Sequence, residues 1–479
     1  MKSRLLLEKR ALLRCVLKHS VALCAALAAG FATASETLPS GVAAALKAAQ
    51  IPPASVAIVV QPVDAHTPRL SHNARQPMNP ASVMKLVTTY AGLGLLGPAH
   101  TWRTELLAEQ APRDGRLAGP LYLKGSGDPK FAIEHLTALL RQLRARGVQH
   151  LAGDLVLDRS AFSIAALDPG AFDDKPMRPY NIGPDALLTN FQSLRFTLQA
   201  DGNRVLILQE TPSDGLRIDQ RLQLAERECS SDWKDQIALR LTPENGGHTL
   251  EFAGSYARGC GEKVLNLAPL AADAHLAGLF RALWKELGGS LQGGIRPGKT
   301  PPTAQLLAAS ESAPLSDQIR DINKFSNNVM ARQLYLTLGD GSPDIARQRI
   351  GEWLAGRGLK FDELVIENGS GLSRQERISA DSLNRLLLDL WQHPLMPEMI
   401  ASLPIVGIDG TMKKRLKETG VSGRAHIKTG TINGVKSIAG FALDARGRRV
   451  AVTMLINHPR APAGQPAIDA LLQWVAESQ

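Results

Sequence analysis

The chain has 479 residues, of which 44% are hydrophobic and 21% charged, and a formal net charge of +10. That length and apolar content allow a large buried core and suggest about three domains. Aromatics make up only 5% and no Lys/Arg run is interleaved with them, which argues against nucleic acid as a partner.

Residues 1–34 read as an export signal. Lys2, Arg4, Lys9, Arg10, Arg14 and Lys18 precede an apolar run from Val21 to Phe31, and Ala32-Thr33-Ala34 supplies a small-x-small cleavage pattern. The run falls short of the roughly 20 residues needed to span a bilayer, so an uncleaved anchor is the weaker reading. About half of the net charge leaves with this leader, and the remaining mild basicity suits a solvated surface, an anionic wall polymer or peripheral contact with a membrane. Cys15 and Cys24 also leave. Cys229 and Cys260 remain, and an oxidising compartment favours their pairing over two free thiols. The chain contains neither C-x-x-C nor H-E-x-x-H, so no metal and no cofactor is expected.

Pro53 to Val63 reads as a strand, carried by Ser55-Val56-Ala57-Ile58-Val59-Val60. Helical periodicity starts at Ser82 and breaks at the glycines between Gly92 and Gly97. Leu121–Leu123 and Leu155–Leu157 read as strands flanking a helix over Ile133–Arg146. From about Asp158 to Cys260 short strands alternate with Pro/Gly/Asp turns, a β-rich composition unlike its surroundings. Periodicity returns over Ala271–Leu287 and over Ser316–Leu338. After His426, Val435–Leu443 and Arg449–Asn457 read as strands, Asn433-Gly434 as a hairpin turn and Ala467–Ala476 as a closing helix.

Two nucleotide-binding patterns are decoys. Gly293 to Thr300 matches G-x-x-x-x-G-K-T, but Pro301-Pro302 prevents the helix that the phosphates require. Gly92 to Gly97 matches G-x-G-x-x-G at the end of a helix instead of after a strand.

Three other peptides carry chemistry: Ser82-Val83-Met84-Lys85, Ser326-Asn327-Asn328 and Lys428-Thr429-Gly430. Ser231-Asp232-Trp233-Lys234 also fits S-x-x-K, and Ser71-His72-Asn73 and Ser382-Leu383-Asn384 fit S-x-N, but their contexts are polar, a turn and a helix interior. A serine hydroxyl needs a base, and Lys85, three residues on, shares a helix face with Ser82. Burial and a nearby cation, Lys428, would keep that amine partly neutral. The first-turn amides and the Thr431 amide at a strand edge suit an oxyanion. Ser326 suits proton delivery to a leaving amine, Asn328 a hydrogen bond to substrate, and Lys428 with Thr429 a terminal carboxylate. Gly430 would let a substrate backbone approach. Taken singly, each peptide reads as a capping serine, a surface lysine or a turn; the ordered set points to serine acyl transfer.

With Asn79-Pro80-Ala81, Gly127-Asp128-Pro129, Asn368 to Arg374 and Leu403 to Thr411, these motifs resemble the penicillin-binding proteins. The 244 residues between Ser82 and Ser326 narrow the likeness to the class C, low-molecular-mass D-alanyl-D-alanine carboxypeptidase/endopeptidase family, S13. The resemblance implies a multi-domain α+β fold. Its β-lactamase/transpeptidase-like domain has an antiparallel sheet flanked by helices, formed by 35–103 and 285–479. Inserted β-rich domains would occupy 104–284, with a subdomain nested around 185–260. It implies periplasmic hydrolysis of D-Ala-D-Ala stem peptides and D-Ala-meso-diaminopimelate cross-links of peptidoglycan, with β-lactam antibiotics as covalent inhibitors. It further implies substrate contacts at Asp174, Arg374 and Asn433, and leaves the oligomeric state open, a homodimer included. A β-lactamase or esterase of the same fold, or a non-catalytic wall-binding module, are the rival readings.

Overall fold

The computed structural model describes residues 37–478, and the expected leader lies outside them. Both ends of the chain meet in one five-stranded antiparallel sheet, ordered Ala425–Ile432, Val435–Leu443, Arg449–Asn457, Val56–Pro62, Leu70–His72. Its inner strands are mostly apolar because helices cover both faces. Every residue of Val56–Pro62 is buried. Val56, Ile58 and Val60 pack with Ser40–Ala48 and Gln465–Glu477, while Ala57 and Val59 join the core beneath Lys85–Leu96, Asn328–Leu338 and Ala380–Gln392. The period-two alternation of a strand thus feeds two cores. Asn433-Gly434 forms the expected two-residue hairpin, with Gly434 at φ 78°.

A second, mixed sheet runs Ile295–Pro297, Leu155–Asp158, Leu121–Gly125, Arg103–Ala108, Gln305–Glu311 and packs on Ile133–Ala145 and Ala272–Glu286 around its own core. Two strands beyond residue 285, Ile295–Pro297 and Gln305–Glu311, therefore belong to this sheet and not to the first. Residues 194–267 form a third body of short strands. One sheet is Glu262–Leu267, Leu194–Asp201 and Arg204–Gln209; the other is built on Gly247–Ala257. Their core is separate again, and Cys229 and Cys260 are joined in a disulfide beside it.

Three local expectations need correction. Periodicity over Ser316–Leu338 does not make one helix: Leu315–Lys324 and Asn328–Leu338 are separated by Ser326 at φ 57°. The Asn327 side chain accepts the Met330 N–H at 3.1 Å, so an N-cap restarts the helix where apolar spacing alone runs on. Gly92 and Gly94 lie within the helix, where Leu334 and Trp353 fill the space of a Cβ, and only Gly97 (φ 83°) ends it. Ser71 sits in an edge strand, not a turn. The first decoy is resolved as expected: no helix follows Thr300, whose N–H donates to Asp158 at 2.8 Å.

Candidate active site

Ser82 stands in a 3-10 turn, Ala81–Met84, that leads into Lys85–Leu96. The turn holds Ala81 at φ 45°, a conformation that costs an L-residue energy and must be held by its surroundings. The neighbours supply the restraint. Asn79 Oδ1 accepts the Ala81 N–H at 2.8 Å, Asn457 bonds both backbone groups of Asn79, Asn79 Nδ2 donates to Ser373 O, and Ser437 Oγ donates to Pro80 O. The motif Asn79-Pro80-Ala81 is thus the clamp that fixes the turn carrying Ser82.

Lys85 is completely buried. Its Nζ lies 3.0 Å from Ser82 Oγ and 2.7 Å from Asn328 Oδ1, and it also bonds the Ser370 carbonyl. A neutral amine has two N–H bonds and one lone pair. With Asn328 and Ser370 accepting the two N–H groups, the lone pair is left for the Ser82 hydroxyl proton. Burial first, and then the cation of Lys428, hold the Lys85 amine well below the usual lysine range, as the sequence predicts for a base. Since Asn328 gives its oxygen to Lys85, its Nδ2 is the group left for a substrate carbonyl.

Lys428 is the second fully buried lysine. Its Nζ donates to Ser326 Oγ at 2.9 Å and to Thr429 O at 2.7 Å, and burial lowers its pKa to about 7. The Lys428 strand is the outer edge of the sheet near this point. Ile427 N–H donates outward to Pro404 O, and the Ala425 carbonyl accepts outward from Val406. By antiparallel alternation the Thr429 and Thr431 backbone groups face the same free edge. Gly430 faces the other way: a Cβ there would lie 2.6 Å from Pro80 O and 3.0 Å from Ser82 N. The close approach that requires glycine is therefore the protein's own nucleophile turn, not a substrate backbone. Thr429 Oγ1 is 2.7 Å from Thr411 Oγ1, a neighbour that sequence reasoning did not single out.

Arg374 reaches the far end of the edge strand. Its Nη1 donates to the backbone carbonyl of Asn433 at 2.9 Å, and its guanidinium lies 4.4 Å from the Phe172 ring centroid. Phe172 packs against Ala81, Leu372, Ile432 and Val435. Asn433 thus enters through its main chain rather than its side chain. Asp174, two residues from Phe172, is exposed in a left-handed turn at φ 59°.

The family model for the D-Ala-D-Ala carboxypeptidase 3 (S13) family matches residues 38–478. The chain belongs to the S13 family. A D-alanyl-D-alanine carboxypeptidase of Actinomadura sp. (strain R39) is 30% identical over 433 residues, covering 85% of this chain and 78% of the relative. The crystal structure of penicillin binding protein 4 from Haemophilus influenzae aligns with a TM-score of 0.75 at 24% identity, covering 91% of this chain and 99% of that one. A penicillin G-acylated predatory endopeptidase of Bdellovibrio bacteriovorus gives a TM-score of 0.52 at 14% identity, with 88% and 94% coverage. The likeness to penicillin binding protein 4 shows the multi-domain fold of helices and sheets, and membership of S13 makes the chain a peptidase-family hydrolase.

In this S13 chain the structure also places beside the site residues that its sequence did not advertise, Arg332 and Glu376 among them through their charges acting on Lys85. Ser370 lies within the Asn368–Arg374 motif, so a signal for it existed. Phe172, Arg332 and Glu376 had none. Glu376 sits in the polar run Arg374-Gln375-Glu376-Arg377, which reads as solvated, yet it is fully buried.

Proposed function

We propose that this S13 chain is an exported serine DD-peptidase. It cleaves D-Ala-D-Ala stem peptides as a carboxypeptidase and D-Ala-meso-diaminopimelate cross-links as an endopeptidase, and β-lactams acylate and inhibit it. The observation that carries the reading is Lys85 Nζ, buried and 3.0 Å from Ser82 Oγ with its N–H groups already engaged. Lys85 takes the Ser82 proton as Oγ attacks the carbonyl carbon of the penultimate D-Ala. The Ser82 and Thr431 amides receive the oxyanion. The C–N bond then breaks, and Ser326 passes a proton to the leaving amine while Lys428 replenishes it. Lys428 and Thr429 hold the terminal carboxylate, Asn328 Nδ2 the substrate peptide, and Arg374, Asn433 and Asp174 the diaminopimelate side chain. Water attacks the acyl-Ser82 ester: its oxygen joins the acyl carbon, its proton goes to the Ser326–Lys428 pair, and Lys85 returns a proton to Ser82 Oγ as the shortened peptide leaves.

The segregated cores support a division into a catalytic part from both chain ends and an inserted region running from about Arg103 to Glu311, with residues 194–267 nested within it. The leader makes the periplasm its compartment, and among the described residues no helix is long and apolar enough to cross a membrane. Intact-protein mass spectrometry after benzylpenicillin should show one penicilloyl adduct on Ser82, absent from Ser82→Ala. An unmodified wild type, or an adduct persisting in the variant, would overturn the reading. Rapid release of the adduct would favour a β-lactamase, and stable acylation without turnover of cross-linked muropeptides a non-catalytic module.

A further inference from the structure

Glu376 is buried behind Lys85, and its two carboxylate oxygens have different surroundings. Oε1 accepts three consecutive backbone N–H groups, from Glu367 at 3.2 Å, Asn368 at 3.1 Å and Gly369 at 3.1 Å. Oε2 is equally enclosed and has no hydrogen-bond partner among the described residues. The loop gathered on Oε1 leads straight to the nucleophile's base. Asn368 Oδ1 takes both the N–H (2.9 Å) and the hydroxyl (2.6 Å) of Ser370, and the Ser370 carbonyl bonds Lys85 Nζ. Gly369 O accepts from Thr88 Oγ1 at 2.7 Å, and Gly371 at φ 79° leaves no room for a Cβ against the Ala81–Ser82 peptide. One carboxylate therefore organises the wall on which Lys85 rests.

Charge also ties Glu376 to Lys85. Lys85 interacts with Lys428 from the edge strand, Arg332 from the helix after Ser326, and Glu376 from this loop. Glu376 in turn faces Lys85, Arg332 and Tyr335, and Arg332 also feels Glu367. When Lys85 takes the Ser82 proton, an ammonium forms in a buried site beside Arg332 and, below about pH 7, beside the Lys428 cation as well. An uncompensated buried ammonium is costly; burial pushes the Glu376 carboxyl up, while the three N–H groups on Oε1 and the charge of Lys85 favour its ionised form, in which it acts on Lys85 as the opposing charge.

We propose that Glu376 is a positioning residue for acylation: it folds loop 367–370 onto Lys85 and supplies the counter-charge for the ammonium that Lys85 becomes. The proposal rests on the acyl-Ser82 reading and adds a role outside the three motifs.

The test is the pH dependence of benzylpenicillin acylation, followed by stopped flow, in the wild type, Glu376→Gln and Glu376→Asp. Glutamine keeps an Oε1 acceptor for the three N–H groups and removes the charge, with an amide NH2 in the place of Oε2. Without the anion Lys85 loses its proton at lower pH, so the acid limb should move down by about half a unit or more and the plateau should fall about tenfold. A Glu376→Gln profile that overlays the wild type overturns the proposal, because a purely structural clamp survives the change. Glu376→Asp keeps the charge with a shorter reach, and its limb should stay at the wild-type position even if its plateau drops. A limb displaced as in glutamine overturns the counter-charge, and this arm decides the matter if Glu376→Gln does not fold. A wild type that is never acylated refutes the underlying reading instead, so the two failures are distinct.

Discussion

Around Ser82 the ionisable side chains are inside the protein: Lys85, Lys428 and Glu376 are each 0% exposed. In residues 194–267 they are outside, over a core of Leu194, Phe196, Leu250, Phe252 and Tyr256. The Arg204, Arg217 and Arg240 side chains there are 75%, 70% and 68% exposed and pair with acids on the strand surface. A region built for stability hides carbon and leaves charge in water. The cleft does the opposite, because an amine becomes a base near neutral pH only when burial disfavours its charged form. The comparison makes a prediction with two signs: removing a cleft lysine costs rate and releases stability, while changes in the β-rich region cost stability and leave rate alone.

The largest effect should come from Lys85→Ala. Losing the base should slow benzylpenicillin acylation by about 10²–10⁴-fold, while the unfolding midpoint stays level or rises. A stopped-flow rate within a few-fold of wild type would break the assignment. Gly430→Ala comes next. Its Cβ would press on Pro80 O and Ser82 N, and displacement of the nucleophile turn should reduce acylation by about 10²-fold, with a smaller loss of stability.

The cost of the buried lysines should be visible in pH titration of stability. Lys428 has a pKa of about 7 in the fold against 10.5 as its ordinary value. Between those values the unfolded chain holds a proton that the native state has released, so stability rises with pH across the window and is lost as pH falls back toward 7. The slope contributed by one such group approaches about 1.4 kcal/mol per pH unit. Denaturant melts of Lys428→Met between pH 7 and 10 should lack this share of the climb; an unchanged slope would mean that Lys428 is not held neutral.

In the β-rich region the corresponding lever is covalent. Cys229 and Cys260 are 31 residues apart in sequence, and opening a loop of that size by changing both to alanine should cost about 3.7 kcal/mol. Acylation by benzylpenicillin should stay near the wild-type rate, because the disulfide belongs to a different core from Ser82.

What was legible divides along the same line. Ser82, Lys85, Ser326, Asn328 and Lys428 were picked out because the proposed acyl transfer calls for those residue types, and the structure joins Lys85 to Ser82 and Asn328, and Lys428 to Ser326. The sheet at both chain ends was also legible, since Val56–Pro62 and Arg449–Asn457 are rich in β-branched and apolar residues. The break at Ser326 was not, because apolar periodicity passes across it and only a capping side chain ends it. Glu376 was hidden for a related reason: its burial depends on a loop closing over it, and its neighbours in sequence are all polar. The Gly430 contact needed two segments some 350 residues apart to be in register. Local spacing reports chemistry and periodicity; it does not report which polar residue the tertiary fold will enclose.

The smallest effect is the sharpest check on the comparison. Arg240 Nη2 lies 2.8 Å from Glu251 Oε2, a good hydrogen-bonded pair by distance and shorter than many contacts in the cleft. If distance governed energy, Arg240→Ala would be costly. The arginine is 68% exposed, however, so water replaces most of what the pair provides, and ordering a long side chain opposes the rest. Arg240→Ala should therefore shift stability by no more than about 0.5 kcal/mol and leave acylation unchanged. A denaturant melt showing a loss several times larger would mean that the surface of the β-rich region, and not only its core and disulfide, holds it together.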